Sequence, residues 1–176
     1  HPIRPGELQP CASQWYEDNG LAIEAFHHAA AANDIERAER LISGHAIPRH
    51  FRGAVTAILN WLSSLPKSVL DARPALWWLY ASLLLVNGQT TGVDENLQAA
   101  LSAVGDVATD AGSRALVGRI ATARGVLALT RYDVDGMLTQ SRQALAHLPP
   151  QDLTRRANAT WTLGQAYLWR GDREAA

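Results

Sequence analysis

Apolar positions along the chain recur at helical spacing, and glycine, proline and capping residues cut them into short blocks. Leu163, Gly164 and Tyr167 fall at i, i+1 and i+4 and share one helical face. Gly171-Asp172 then supplies a left-handed stop and a cap for a following helix. The same order returns upstream in looser form. Gly125 and Ala128 precede Met137, Ser141 and Ala144 and close at Pro149; Ala81 and Leu84 precede a Gly88 stop, Leu97 and Ala100. Ser13 and Tyr16 precede Gly20, Ala25, Ala29 and Ala32. Each block can bury its apolar face only against a neighbour.

The stop signals predict helices over about 8–18, 21–32, 35–43, 49–64, 67–72, 74–87, up to 104 from a start near Thr91, 112–130, 133–147 and 152–170. Pro10 is placed in a first turn, and Pro74 suits a first helical position. Asn33 or Asp34, and Thr109 or Asp110, are placed as caps. Thr91 with Asp94 has capping-box spacing, and Gly44 is read as a stop. No stretch alternates strictly between apolar and polar residues, so the chain reads as all-α. Residues 1–7, with two prolines and a glycine, read as an extended segment, and 8–176 as one domain of helical repeats.

These copies resemble tetratricopeptide-type repeats. Their step is roughly forty residues, against about 34 in the standard repeat, and the stretch Ile47 to Leu70 departs from the period. The resemblance implies a right-handed α-solenoid of antiparallel helix pairs, with about eight to ten helices. It also implies that the first helix of each pair lines a concave groove. Counting three and six residues back from Ala81, Gly125 and Gly164 places Trp78, Arg119, Thr122, Asn158 and Trp161 there, with Gln165 on the same stripe as Asn158 and Trp161. Indole faces beside amide and guanidinium groups suit a polar small molecule, such as a sugar, or an extended peptide. The alternative for Trp161 and Trp169 is burial against a further repeat.

Composition narrows the chemistry. The 176 residues are 47% hydrophobic with a net charge of −1, enough for a substantial core and without the basic excess of a nucleic-acid-binding domain. The longest apolar run, Ala75 to Val86, is too short to span a membrane. Cys11 is the sole cysteine, so no internal disulfide forms; it reads as a half-buried small residue. Lys67 is the sole lysine. There is no phosphate-loop, dinucleotide-binding, zinc-protease or nucleophile-elbow motif. Glu24 and His28 share a helix face, but two ligands do not make a metal site. Trp15, Trp61 and Trp77 read as packing residues, and Arg155-Arg156 as surface rather than a phosphate clamp. The sequence therefore predicts no enzyme, no cofactor, no metal and no direct nucleic-acid contact.

A more specific likeness runs through Ala12-Ser13-Gln14-Trp15-Tyr16-Glu17-Asp18-Asn19-Gly20-Leu21, Glu24-Ala25, His27-His28-Ala29 and Asn33-Asp34-Ile35-Glu36-Arg37-Ala38. It continues in Trp61-Leu62-Ser63-Ser64-Leu65-Pro66, Ala72-Arg73-Pro74, Leu79-Tyr80-Ala81 and Asn87-Gly88-Gln89. Together these resemble the middle region of the large LuxR-family, MalT-like transcriptional activators. The resemblance implies a cytoplasmic bacterial regulator in which a nucleotide-binding module precedes the repeats and a DNA-binding helix-turn-helix follows them. The repeats would be the sensor, taking an effector or protein partner in the groove. The alternative is a stand-alone interaction scaffold. The first residue, His1, and the end inside a repeat lead to the expectation of a fragment of a longer protein, whose carboxy-terminal edge (Tyr167, Leu168, Trp169) would self-associate.

Overall fold

The structure, a computed structural model, describes residues 5–43, 55–105 and 110–172, with side chains from residue 9 onward. Ten helices and no strand occur among the described residues. The chain divides into two compact units, residues 1–64 and 65–176, where the sequence predicts one domain. The division falls between Ser64 and Leu65, inside the stretch that breaks the repeat period, and Pro66 just after it is extended with ψ 142°.

The first unit holds α1 (Pro5–Asp18), α2 (Ala22–Ala31), α3 (Ile35–Ile42) and α4 (Val55–Ser64). α1 begins earlier than predicted, so residues 5–7 are helical rather than extended, and Pro10 lies in its interior. Pro5 suits the first position, and Pro10 then removes only the bond to residue 6. Gly20, at φ +74°, turns the chain from α1 into α2. The Ser13 hydroxyl, fully buried, donates to the Ala25 carbonyl at 2.8 Å, and Ala25 and Ala29 are buried, as the repeat pattern requires. Phe26 meets Trp61 edge-on at 5.4 Å within this core. Asp34 caps α3 by accepting from Arg37 N. Glu17 of α1 receives both Arg37 (2.7 Å) and Arg40 of α3. The bond from Arg40, then that from Arg37, hold its carboxyl below the ordinary value against the opposing effect of burial. The predicted stop at Gly44 and helix start at Arg49 lie outside the described residues.

Two expectations about burial in this unit also fail. Trp15 is 58% exposed rather than packed in the core. It lies two positions from buried Ser13, about 200° around the helix, and so faces away from α2. Cys11 is likewise exposed, two positions before Ser13.

The second unit holds α5 (Lys67–Asp71), α6 (Pro74–Val86), α7 (Val93–Val104), α8 (Ala111–Thr130), α9 (Val134–His147) and α10 (Leu153–Arg170). Pro74 occupies the start of α6, and Gly88, at φ +74°, ends the turn of backbone that follows it. α6 is apolar almost all round and buries Leu76, Leu79, Ala81, Leu83 and Leu84. Trp77 is half-buried beside it, donating to Asp71 at 3.1 Å. α7 packs on α6 and buries Leu97 and Ala100. Its start differs from the predicted capping box: the cap is Gly92 in the left-handed region, with no side-chain bond. Asp94 instead lies 3.6 Å from Arg124 of α8. Asp110 caps α8, accepting from Gly112 and Ser113 N.

α9 runs back along α8, and α10 returns along α9. Ala128 clusters with Met137, Leu138 and Ala166, and Ala121 with Ala144, Leu148 and Ala159. The alanines let three helices share one seam, while fully burying Met137 contributes about 1.5–3 kcal/mol. Arg156 donates to the Leu145 and Leu148 carbonyls at 3.0 and 3.1 Å, and Arg170 pairs with Asp135 at 3.0 Å. Gly118 packs tightly on the end of α9, where an added Cβ would lie 2.8 Å from Leu148 N. At Gly125, the position the sequence singles out, the nearest atom would be 3.6 Å away, an ordinary contact.

Candidate ligand-binding site

Within the second unit, α6, α8 and α10 line a pocket of about 350 Å³. α6 contributes Trp78, Ser82, Leu85 and Val86; α8 contributes Arg119, Thr122, Ala123 and Val126; α10 contributes Arg155 and Asn158. Four of the six residues placed in a groove from sequence, Trp78, Arg119, Thr122 and Asn158, therefore sit together. They come from three helices that each open a helix pair or, for α10, follow one.

Trp78 is the centre of the arrangement. Its indole N–H donates to the Arg119 carbonyl at 3.2 Å, which fixes the ring against α8. The Arg119 guanidinium carbon lies 5.6 Å from the ring centroid and that of Arg155 lies 5.1 Å from it. Both distances fall in cation–π range. Arg155 is anchored by Asp152, with Nη1 at 3.0 and 3.3 Å from its two carboxylate oxygens, and Asp152 also caps α10. Arg119 has no ion pair among the described residues, and its Nε is buried without a hydrogen-bond partner. Burial, then the nearby Arg155 charge, lower the Arg119 pKa from its ordinary value, and Asp152 partly opposes this. Thr122 is buried and its hydroxyl donates to the Gly118 carbonyl at 2.9 Å, so its one donor is used within α8. Asn158 is exposed.

Trp161 and Gln165 do not line this pocket. Trp161 is 54% exposed. At 3.6 residues per turn it lies about 60° from Asn158 on the side away from buried Ala159 and Thr162, whereas Arg155 lies about 60° toward them. Gln165 shares the direction of Asn158 but lies nearly two turns further along. Arg155, read from sequence as surface, is thus the charged residue that the sequence misses, along with Ser82, Leu85, Val86, Ala123 and Val126 of the wall. The signal for Arg155 is its place one turn before Asn158 on the packed side of α10.

At the carboxy-terminal edge, Trp169 stacks on Tyr132 at 5.2 Å, and the Tyr167 hydroxyl accepts from Arg142 at 2.8 Å. Leu168 and Trp169 remain exposed. No described helix is long and apolar enough to cross a membrane, and no described group of three His, Cys, Asp or Glu residues could hold a metal.

No family model and no solved structure matches the chain. It is similar to the serine/threonine-protein kinase PknK of Mycobacterium tuberculosis and of Mycobacterium bovis, 30% identical over 152 residues, which is 84% of this chain. The chain spans 14% of the length of these curated relatives.

Proposed function

We propose that the chain is a helical-repeat sensor module of a larger regulator, resembling the MalT-like LuxR family, and that its second unit takes an effector in the pocket on α6, α8 and α10. The helix pairs of this reading form a right-handed, tetratricopeptide-like solenoid, with α6, α8 and α10 as successive first helices. The observation that carries it is the convergence of Trp78, Arg119, Thr122 and Asn158 on one pocket, with Trp78 bonded across 41 residues to the Arg119 carbonyl. A repeat array places equivalent positions of neighbouring pairs side by side in this way. A pocket bounded by separate helices couples ligand binding to their relative position, and a ligand that favours one arrangement shifts the population toward it.

A second reading follows from the kinase relatives: the same kind of module could serve a protein kinase, its pocket serving a kinase partner or effector. Flanking coding sequence separates the two. A phosphate loop upstream and a helix-turn-helix downstream favour the regulator; a kinase catalytic domain favours the second; neither favours a stand-alone scaffold. The pocket itself is tested by Val126→Trp in the full-length protein, which fills the cavity. Loss of the effector response with retained folding is expected, and an unchanged response sinks the sensor reading.

A further inference from the structure

We propose that the pocket takes a small organic anion, a single carboxylate or phosphate on an apolar body, with Arg119 and Arg155 receiving the charge and the Trp78 wall receiving the body. This rests on the reading of the pocket as a ligand site and specifies its chemistry.

The charge distribution carries the argument. Pro74–Val86, Ala111–Thr130 and Leu153–Arg170 together contain six arginines and no aspartate or glutamate, in a chain whose net charge is −1. The described acidic residues of this unit lie on α5, α7 and α9 and in the turns. Of these six, Arg119 and Arg155 line the pocket, and no acidic residue does. The one carboxylate beside the pocket is Asp152, and Arg155 and the first turn of α10 engage it. Two guanidinium groups against one carboxylate leave one positive charge over.

The geometry says where that charge is received. Arg119 and Arg155 lie 5.6 and 5.1 Å from the centre of the same indole, close enough that the Arg155 charge helps to lower the Arg119 pKa. An anion held by Arg119 offsets the repulsion between the two guanidinium groups and accepts charge-assisted hydrogen bonds from a planar fork suited to carboxylate and phosphate. Arg119 is the open partner, since it forms no ion pair among the described residues and its Nε has no hydrogen-bond partner, whereas Arg155 is engaged by Asp152. Leu85, Val86, Ala123 and Val126 form the apolar remainder of the wall. The cavity volume is at the small end of ligand sites, about 300–1,000 Å³, which fits one ring or a short chain and not a folded partner.

The test uses the full chain labelled with nitrogen-15 at tryptophan. The Trp78 indole signal is assigned by its loss in Trp78→Phe. Matched probes are titrated: phenylacetate against phenylacetamide, phenylpropionate against phenylpropionamide, and phenyl phosphate against phenol. The expected result is that at least one anion moves the Trp78 signal and binds at least about tenfold more tightly than its neutral partner, a difference of about 1.4 kcal/mol. Arg119→Gln should abolish that preference while the far-ultraviolet circular dichroism is unchanged, and Arg119→Lys should retain part of it. Equal binding of acid and neutral partner overturns the anion assignment and leaves the pocket as a ligand site. No movement of Trp78 by any probe at millimolar concentration overturns both. Movement by an acidic hexapeptide alone overturns the small-anion assignment in favour of a protein partner.

Discussion

Gly118→Ala tests the helix seam behind the pocket. The new Cβ would lie 2.8 Å from Leu148 N, 2.9 Å from Leu148 Cγ and 3.0 Å from the His147 carbonyl carbon. Two of these are backbone atoms at the end of α9, where Leu148 N already donates to the Ala144 carbonyl at 2.8 Å. They cannot swing aside as a side chain can, so α8 and α9 must separate. Overpacking of this kind costs about 1–3 kcal/mol. Replacing a mid-helix glycine by alanine returns about 1 kcal/mol through backbone entropy. Gly118→Ala is therefore expected to be destabilised by up to about 2 kcal/mol. Gly125→Ala, in the same helix with its nearest contact at 3.6 Å, is expected to gain about 0.5–1 kcal/mol. The gap between the two variants should be about 1–3 kcal/mol. Urea unfolding of the full chain followed by tryptophan fluorescence measures it. Equal stability of the two variants, or a more stable Gly118→Ala, would refute the close approach. Because Arg119 adjoins Gly118 and Thr122 bonds to its carbonyl, the same change should also disturb the pocket.

Trp161→Ala should change stability by less than about 0.5 kcal/mol, because the side chain is 54% exposed. Thermal melting decides this, and a loss of several kcal/mol would place Trp161 in a packed interface. Glu17 gives an acid dependence to the first unit. Its carboxyl titrates below its ordinary 4.5 when folded, so its contribution is full above that value and is lost as pH falls through the lowered one. Glu17→Gln should flatten the stability profile below pH 4.5, and an unchanged acid limb would show that the Arg37 and Arg40 contacts contribute nothing.

Much of the helix plan was legible because local chemistry sets it. Pro74, Gly88, Asp34, Asp110 and Gly171 act where turn and cap preferences put them. The buried faces of α8 and α9 follow the small-residue register, with Ala128, Met137, Ser141 and Ala144 all buried. Four pocket residues were legible from that register too. What was not legible depends on rotation and on tertiary partners. Gly118 and Gly125 look alike in sequence, and only the end of α9 distinguishes them. Asp94 has capping spacing but lies by Arg124, and Gly92 takes the cap. Arg155 and Trp161 flank Asn158 symmetrically in sequence, and packing of Ala159 and Thr162 on α8 decides which of them faces the pocket. The boundary between the units falls just before Pro66, which sequence reads only as a helix stop.

A crystal structure of the full chain would show whether the three helices meet at this pocket. The account predicts α6, α8 and α10 side by side, with the Trp78 indole N–H within about 3.2 Å of the Arg119 carbonyl and both Arg119 and Arg155 against its ring. Trp78 turned into the core or into open solvent, with Arg119 and Arg155 on separate faces, would contradict it.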